Sequence, residues 1–203
     1  MGNLLGKYVG VAWFCDDIHS GVDANAAFGV ASGVPEGYYF LGQCGVPAHQ
    51  GFEGYQQLVI ANPPNESALK APDYVEERWE KTGWGGMTVV SLRCSDENYV
   101  TVGDLYLREY SGQVKLSDWP GFRCVHKNWL TLAYFRPDSL WSDHGSGAQK
   151  NVTLWSIDDA AFCVPPPPPR QLTAYQFKAV PTIDQPKPTW QPWTIDPHKG
   201  TLT

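Results

Sequence analysis

Short apolar or alternating runs recur along the chain, separated by turns that carry Gly or Pro. The clearest are Met87-Thr-Val-Val-Ser-Leu92 and Gln149-Lys-Asn-Val-Thr-Leu154-Trp155. Others span residues 37–42, 57–60, 98–103, 122–125, 129–133, 161–164 and 172–177. Alternation over such short lengths is the pattern of half-buried β-strands. No segment keeps a helical period. Residues 73–81 come nearest, because Tyr74, Val75 and Trp79 fit a turn or two. In the frame of the repeat below they lead into a strand instead.

The strands are organised by an internal repeat. Trp79 precedes Gly83, and Trp141 precedes Gly145, by the same four-residue step. Gly83-Trp-Gly85 and Gly145-Ser-Gly147 then turn the chain into the next strand. A weaker copy opens the chain with Ser20-Gly21, and Phe28, Leu92 and Leu154 each lie seven residues beyond the closing glycine. The copies cover about 8–62, 71–133 and 137–180, near the long end of known repeat periods. Each sheet alone would expose an apolar face and two edges, so three should pack around a shared core with pseudo-threefold symmetry.

The tail does not repeat. Prolines fill residues 165–169 without interruption and five more follow, which forces extended, ladder-poor chain. Residues 1–180 read as one domain and 181–203 as a Pro-rich extension. Trp190 and Trp193 suggest docking, with the last strand returning to the first copy and residues 191–203 the least ordered.

Composition narrows the function. The 203 residues carry a net charge of −6, with 42% hydrophobic, 13% aromatic and only 18% charged residues. That leaves no electrostatic footprint for nucleic acid or for polybasic anchoring to lipid. No apolar run approaches a membrane span. The N-terminus lacks a charged segment followed by an apolar one, so a signal peptide is absent or removed, and the expected location is cytoplasmic or non-classically secreted. Five cysteines, none in a C-x-x-C pair, argue against zinc and against a complete disulfide framework. Buried thiols in a reducing compartment are the expectation. A single bridge, Cys94–Cys124 or Cys15–Cys44, is the alternative.

Several elements carry a family resemblance. They are Leu140-Trp-Ser-Asp-His-Gly-Ser-Gly-Ala148, Val152-Thr-Leu-Trp155, Pro35-Glu-Gly-Tyr-Tyr-Phe-Leu-Gly42 and Arg123-Cys-Val125. Together they resemble the vacuolar-protein-sorting-associated protein 62 family of fungi and plants, over about residues 30–160. The middle copy departs with Thr82-Gly-Trp-Gly85, and the third lacks the Gly-Tyr-x-x-Leu-Gly element. The resemblance implies an all-β, β-prism-like fold of three antiparallel sheets. It leaves the chemistry open, because that fold hosts sugar-binding, membrane-binding and toxin-targeting functions.

The turn Asp143-His144-Gly-Ser146-Gly147 is the first candidate site. Its glycines can expose backbone N–H groups, and Asp143 can accept from hydroxyls. The plainer role is a repeat-defining turn in which Asp143 and Ser146 serve local backbone. Trp84, inside a Gly-rich turn, is the leading surface aromatic; Tyr38, Tyr39, Trp119 and Trp129 are others. Trp79, Trp141 and Trp155 are assigned to the core. Asp16, Asp17 and His19 contain cation-ligating types without a second ligand set, so an exposed acidic turn is expected. Cys124 and His126 share one strand face, but no nucleophile elbow, Walker loop or zincin motif occurs.

The reading is therefore a non-catalytic recognition module, lectin-like or membrane-associating, with Trp84, Asp143, His144 and Ser146 as ligand contacts. It calls for no cofactor and no metal, and its partner is a glycan or a membrane surface. Two alternatives stand beside it: a targeting component of a toxin or defence system, and a small-molecule enzyme with Asp143 and His144 as acid–base pair.

Overall fold

The computed structural model describes residues 4–18, 22, 24–82, 86–159, 161–167, 172–180 and 187–202. Among them there is no α-helix, only three single 3₁₀ turns within a set of 17 strands. The first copy holds β1 (Leu4–Asp16), β2 (Ala27–Ser32), β3 (Cys44–Val46) and β4 (Gln56–Ala61). After β5 (Leu69–Lys70), the second holds β6 (Tyr74–Lys81), β7 (Met87–Arg93), β8 (Tyr99–Val100) and β9 (Leu105–Leu107). Next come β10 (Cys124–His126) and β11 (Leu130–Leu132). The third copy holds β12 (Phe135–Ser142), β13 (Thr153–Ile157), β14 (Cys163–Val164) and β15 (Tyr175–Val180), and the tail adds β16 (Trp193–Ile195) and β17 (Gly200–Leu202).

Each copy contributes one antiparallel three-strand unit: β1–β2–β3, β6–β7–β9 and β12–β13–β15. The fold is all-β and β-prism-like. The first and third units join edge to edge through β3 and β15. The second meets the first by backbone bonds from Gly103 N to Leu41 O at 3.0 Å and from Gln43 N to Asp104 O at 3.4 Å, and the third by Asp104 N to Phe177 O at 3.2 Å. At this seam the chains nearly touch. A Cβ on Gly42 would lie 2.8 Å from the Gly103 Cα, so the two glycines make the approach possible.

The symmetry is clearest at three bulges. The ladders shift register just before Cys15, Trp79 and Trp141, which then face Phe28, Val89 and Leu154. All six belong to one buried cluster. A bulge re-aims the next side chain, and here it turns one residue per copy toward the common centre. Trp79 and Trp141 meet edge to face with centroids 5.6 Å apart, and Tyr106 meets Trp141 at 5.5 Å. Cys15 holds the first copy's position. Val89, not Leu92, is the counterpart of Leu154. The second copy's turn is three residues shorter, a deletion that matching on glycines conceals.

Local chemistry explains the strand burial. In β7 six consecutive residues are buried, as expected of a strand covered on both faces. In β6 Trp79 alone is fully buried, between Glu, Arg and Lys residues, a charged edge that discourages pairing with another chain. Some expected strands are lesser elements. Residues 37–42 contribute two isolated bridges, Tyr39 to Ile60 and Phe40 to Phe122, and residues 98–103 only β8. Two strands form among the described residues of 191–203, expected to be the least ordered part. β16 pairs with β11, and β17 runs parallel to β1, so the last strand does return to the first copy.

The cysteine pairing differs from both alternatives. Cys44 and Cys163 form a disulfide with Cα atoms 6.2 Å apart, across 119 residues of sequence. Cys15, Cys94 and Cys124 are buried thiols. The bridge ties β3 to β14, and spacing alone cannot reveal such a pairing. Closing so long a loop restricts the unfolded chain. Reduction, or Cys44→Ser with Cys163→Ser, is expected to cost about 2–5 kcal/mol. Urea unfolding with and without reductant checks this; coincident midpoints would rule the bridge out as a stabiliser.

Candidate functional site

The turn after β12 is a brace before it is a contact surface. Asp143 is 1% exposed and Ser146 9%. The Asp143 carboxylate accepts from Trp79 Nε1 at 3.0 Å, Val152 N at 2.9 Å and Ser146 Oγ at 3.3 Å. Ser146 Oγ in turn accepts from Ala148 N at 3.0 Å. These oxygens are bonded inside the fold, the plainer of the two roles expected for Asp143 and Ser146. His144 is exposed. Trp84 lies outside the described residues.

The first copy repeats this brace. Asp17 is 3% exposed, so the expected exposed acidic turn is instead a buried one. It accepts from Trp141 Nε1 at 2.9 Å and from Ala26 N at 2.8 Å. Ala26 lies nine residues after Asp17, as Val152 does after Asp143. Thus the third copy's indole donates to the first copy's carboxylate, and the second copy's indole to the third's. Where the third such pair would fall stand Cys15 and Lys81, so indole and carboxylate are missing together. His49 Nε2 also meets Asp17 Oδ1, at 2.5 Å. His19 lies outside the described residues.

A hollow of about 140 Å³ lies between the second and third copies, lined by Glu77, Glu80, Thr82, Gln149 and Lys150. It is shallow and carries no described aromatic. Of the other aromatics expected at the surface, Trp119 and Trp129 are buried at 8% and 7% exposure, while Tyr38 and Tyr39 are half-buried. Cys124 and His126 do not form a nucleophile–base pair. The thiol is wholly buried and faces Leu92 O at 3.6 Å, while His126 Nδ1 accepts from Asn128 N and its ring packs on Tyr99.

A richer site lies where the tail crosses the second and third copies. A cleft of about 250 Å³ is lined by Trp190 and Trp193 from the tail, and by Arg78, Arg93 and the Asp104–Lys178 pair. Asp104 is 1% exposed and accepts from Lys178 Nζ and Ala179 N, each at 2.8 Å, and from Ser91 Oγ. Arg78 Nη2 donates to Ala179 O at 3.0 Å, and both guanidinium groups reach Glu76, at 3.3 Å and 3.2 Å. The Nε of Arg78 is buried without a partner. A second hollow of about 430 Å³, with Tyr74, Tyr99 and Lys127, adjoins the first. The two share Arg93, Val100 and Thr101, and this adjoining pair of hollows makes up a trough.

Sequence reasoning singled out Trp190 and Trp193 for docking but not for this trough. Its basic side chains come from three separate strands, and only the fold assembles them. Among the described residues no cluster of His, Cys, Asp and Glu could hold a metal ion. No described helix is long and apolar enough to cross a membrane.

The braced centre and three sheet units define a β-prism-like domain. Neither a protein-family model nor a curated protein matches the chain. Among solved structures it is similar to GNIP1Aa from Chromobacterium piscinae, with a TM-score of 0.73 and 22% identity. The match covers 93% of this chain and 34% of GNIP1Aa, so the chain spans about a third of that protein's length. At this identity the likeness shows the fold.

Proposed function

We propose that this chain is a non-catalytic recognition module, acting as the targeting component of a toxin or defence system. The observation that carries this reading is the match of nearly the whole chain to one third of a longer bacterial protein. A fold used as one part of a larger chain suits the task of addressing other domains to a surface. Fold alone does not fix the task, so the trough beside the tail is the second support. It combines half-exposed aromatic rings with fixed polar groups. The acid–base reading loses its support, because the Asp143 carboxylate is already occupied by Trp79, Val152 and Ser146. Membership of the vacuolar-protein-sorting-associated protein 62 family belongs to this proposal too and rests on the motifs quoted above.

The test is binding of the fluorescently labelled chain to a glycan array, to phospholipid vesicles and to intact cells. Saturable binding to at least one surface is expected. If the folded protein binds none of them, the recognition reading is wrong.

A further inference from the structure

We infer that the trough between the tail and the second and third sheet units binds an uncharged oligosaccharide. The inference rests on the recognition reading and names the ligand class and the residues that meet it.

A pyranose ring has an apolar C–H face and a rim of hydroxyls, each both donor and acceptor. The trough offers a surface for each. Trp190 is 49% exposed and is held edge-on to Phe135 with centroids 4.8 Å apart. Its indole is therefore both available and positioned. Trp193, half-buried beside it, is anchored by the pairing of β16 with β11 and by Thr194, whose hydroxyl donates to Asp159. Aromatic rings present large apolar faces at low conformational cost.

The charged side chains of the cleft suit the hydroxyl rim. Arg78, Arg93 and Lys178 are already held in ion pairs by Glu76 and by the buried Asp104, so little further side-chain ordering is needed on binding. Hydrogen bonds from such charged groups are stronger than neutral ones. The same pairing argues against an anionic ligand. Glu76 and Asp104 offset two of the three positive charges, within a chain of net charge −6. It also argues against lipid insertion, because the rings share the cleft with these charged groups. The adjoining hollow with Tyr74 and Tyr99 gives room for more than one sugar unit.

The experiment uses the full chain on an array of neutral, sialylated and sulfated glycans, with phosphatidylcholine and phosphatidylserine vesicles alongside. The best neutral glycan is then titrated while the indole N–H resonances are followed. The expected result is binding to a neutral glycan that shifts the Trp190 and Trp193 signals and leaves Trp13 unmoved. Trp190→Ala and Arg93→Gln should each weaken it about tenfold or more, with Trp13→Ala unchanged. Neutral-glycan binding that moves neither tail indole would overturn the site even if a variant fails to fold. Binding confined to acidic glycans or vesicles would overturn the ligand class while sparing the recognition reading. Silence on every surface would remove that reading itself.

Discussion

Trp79→Ala is expected to destabilise the protein by about 3–5 kcal/mol, the range for truncating a fully buried aromatic. Three losses combine. The indole is wholly buried in the cluster shared by all three copies. It packs edge to face on Trp141 at 5.6 Å. Its Nε1–H serves both the Asp143 carboxylate and Lys150 O, and both acceptors would lose that donor in a dry site. The melting temperature should fall by roughly 6–20 °C. Trp79→Phe separates the contributions. It keeps most of the ring and removes the donor, so a loss of about 1–3 kcal/mol is expected. Thermal and urea unfolding of both variants provide the check. Equal losses would mean that the hydrogen bond carries the effect and the buried ring adds nothing; a Trp79→Phe protein as stable as wild type would mean that the indole hydrogen bond adds nothing; two near-wild-type variants would mean that this tryptophan is not at the centre.

The second large effect is expected from Gly42→Ala. The new Cβ would lie 2.8 Å from the Gly103 Cα and 3.1 Å from its carbonyl carbon. Both are backbone atoms, so no flexible side chain can give way. Gly42 also has φ +156, at the margin of the region that L-residues avoid. Overpacking and backbone strain together should cost about 2–5 kcal/mol. Gly10→Ala is the control, since nothing lies within 4 Å of a Cβ built there. Urea unfolding of the pair checks the claim: a Gly42→Ala protein as stable as Gly10→Ala would show that the seam is looser than described.

Much of the architecture was legible because it repeats. The matched tryptophan-to-glycine steps placed Trp79 and Trp141 in equivalent roles, and both lie in the common core. The alternating runs located β4, β7 and β13. Two kinds of feature were hidden. One is loop length: the second copy's shorter turn moved the counterpart of Leu154 from Leu92 to Val89, which only the ladder reveals. The other is contact across the whole chain. Asp17 reaches Trp141 across 124 residues, and Cys44 reaches Cys163 across 119. Local sequence offers no sign of either partner.

The candidate site was legible only in part, for a related reason. Asp143 and Ser146 look like surface polar residues in a Gly-rich turn, and the turn itself is real. Their oxygens point inward because the second copy's indole needs an acceptor there. A cue did exist: Asp17 stands two residues after Cys15, as Asp143 stands two after Trp141. An acidic residue recurring at one step of a structural repeat suggests a brace. The trough beside the tail left no such trace, because Arg78, Asp104, Lys178 and Trp190 are remote in sequence.

The most direct measurement follows the tryptophan indole N–H signals of nitrogen-labelled protein after Asp17→Asn and, separately, after Asp143→Asn. The crosswise braces predict that the first substitution shifts Trp141 and spares Trp79. The second should shift Trp79 and spare Trp141. In the parent protein both signals should exchange slowly with solvent. Fast exchange at both indoles, or a response that ignores which carboxylate was changed, would contradict three copies clasped around one centre.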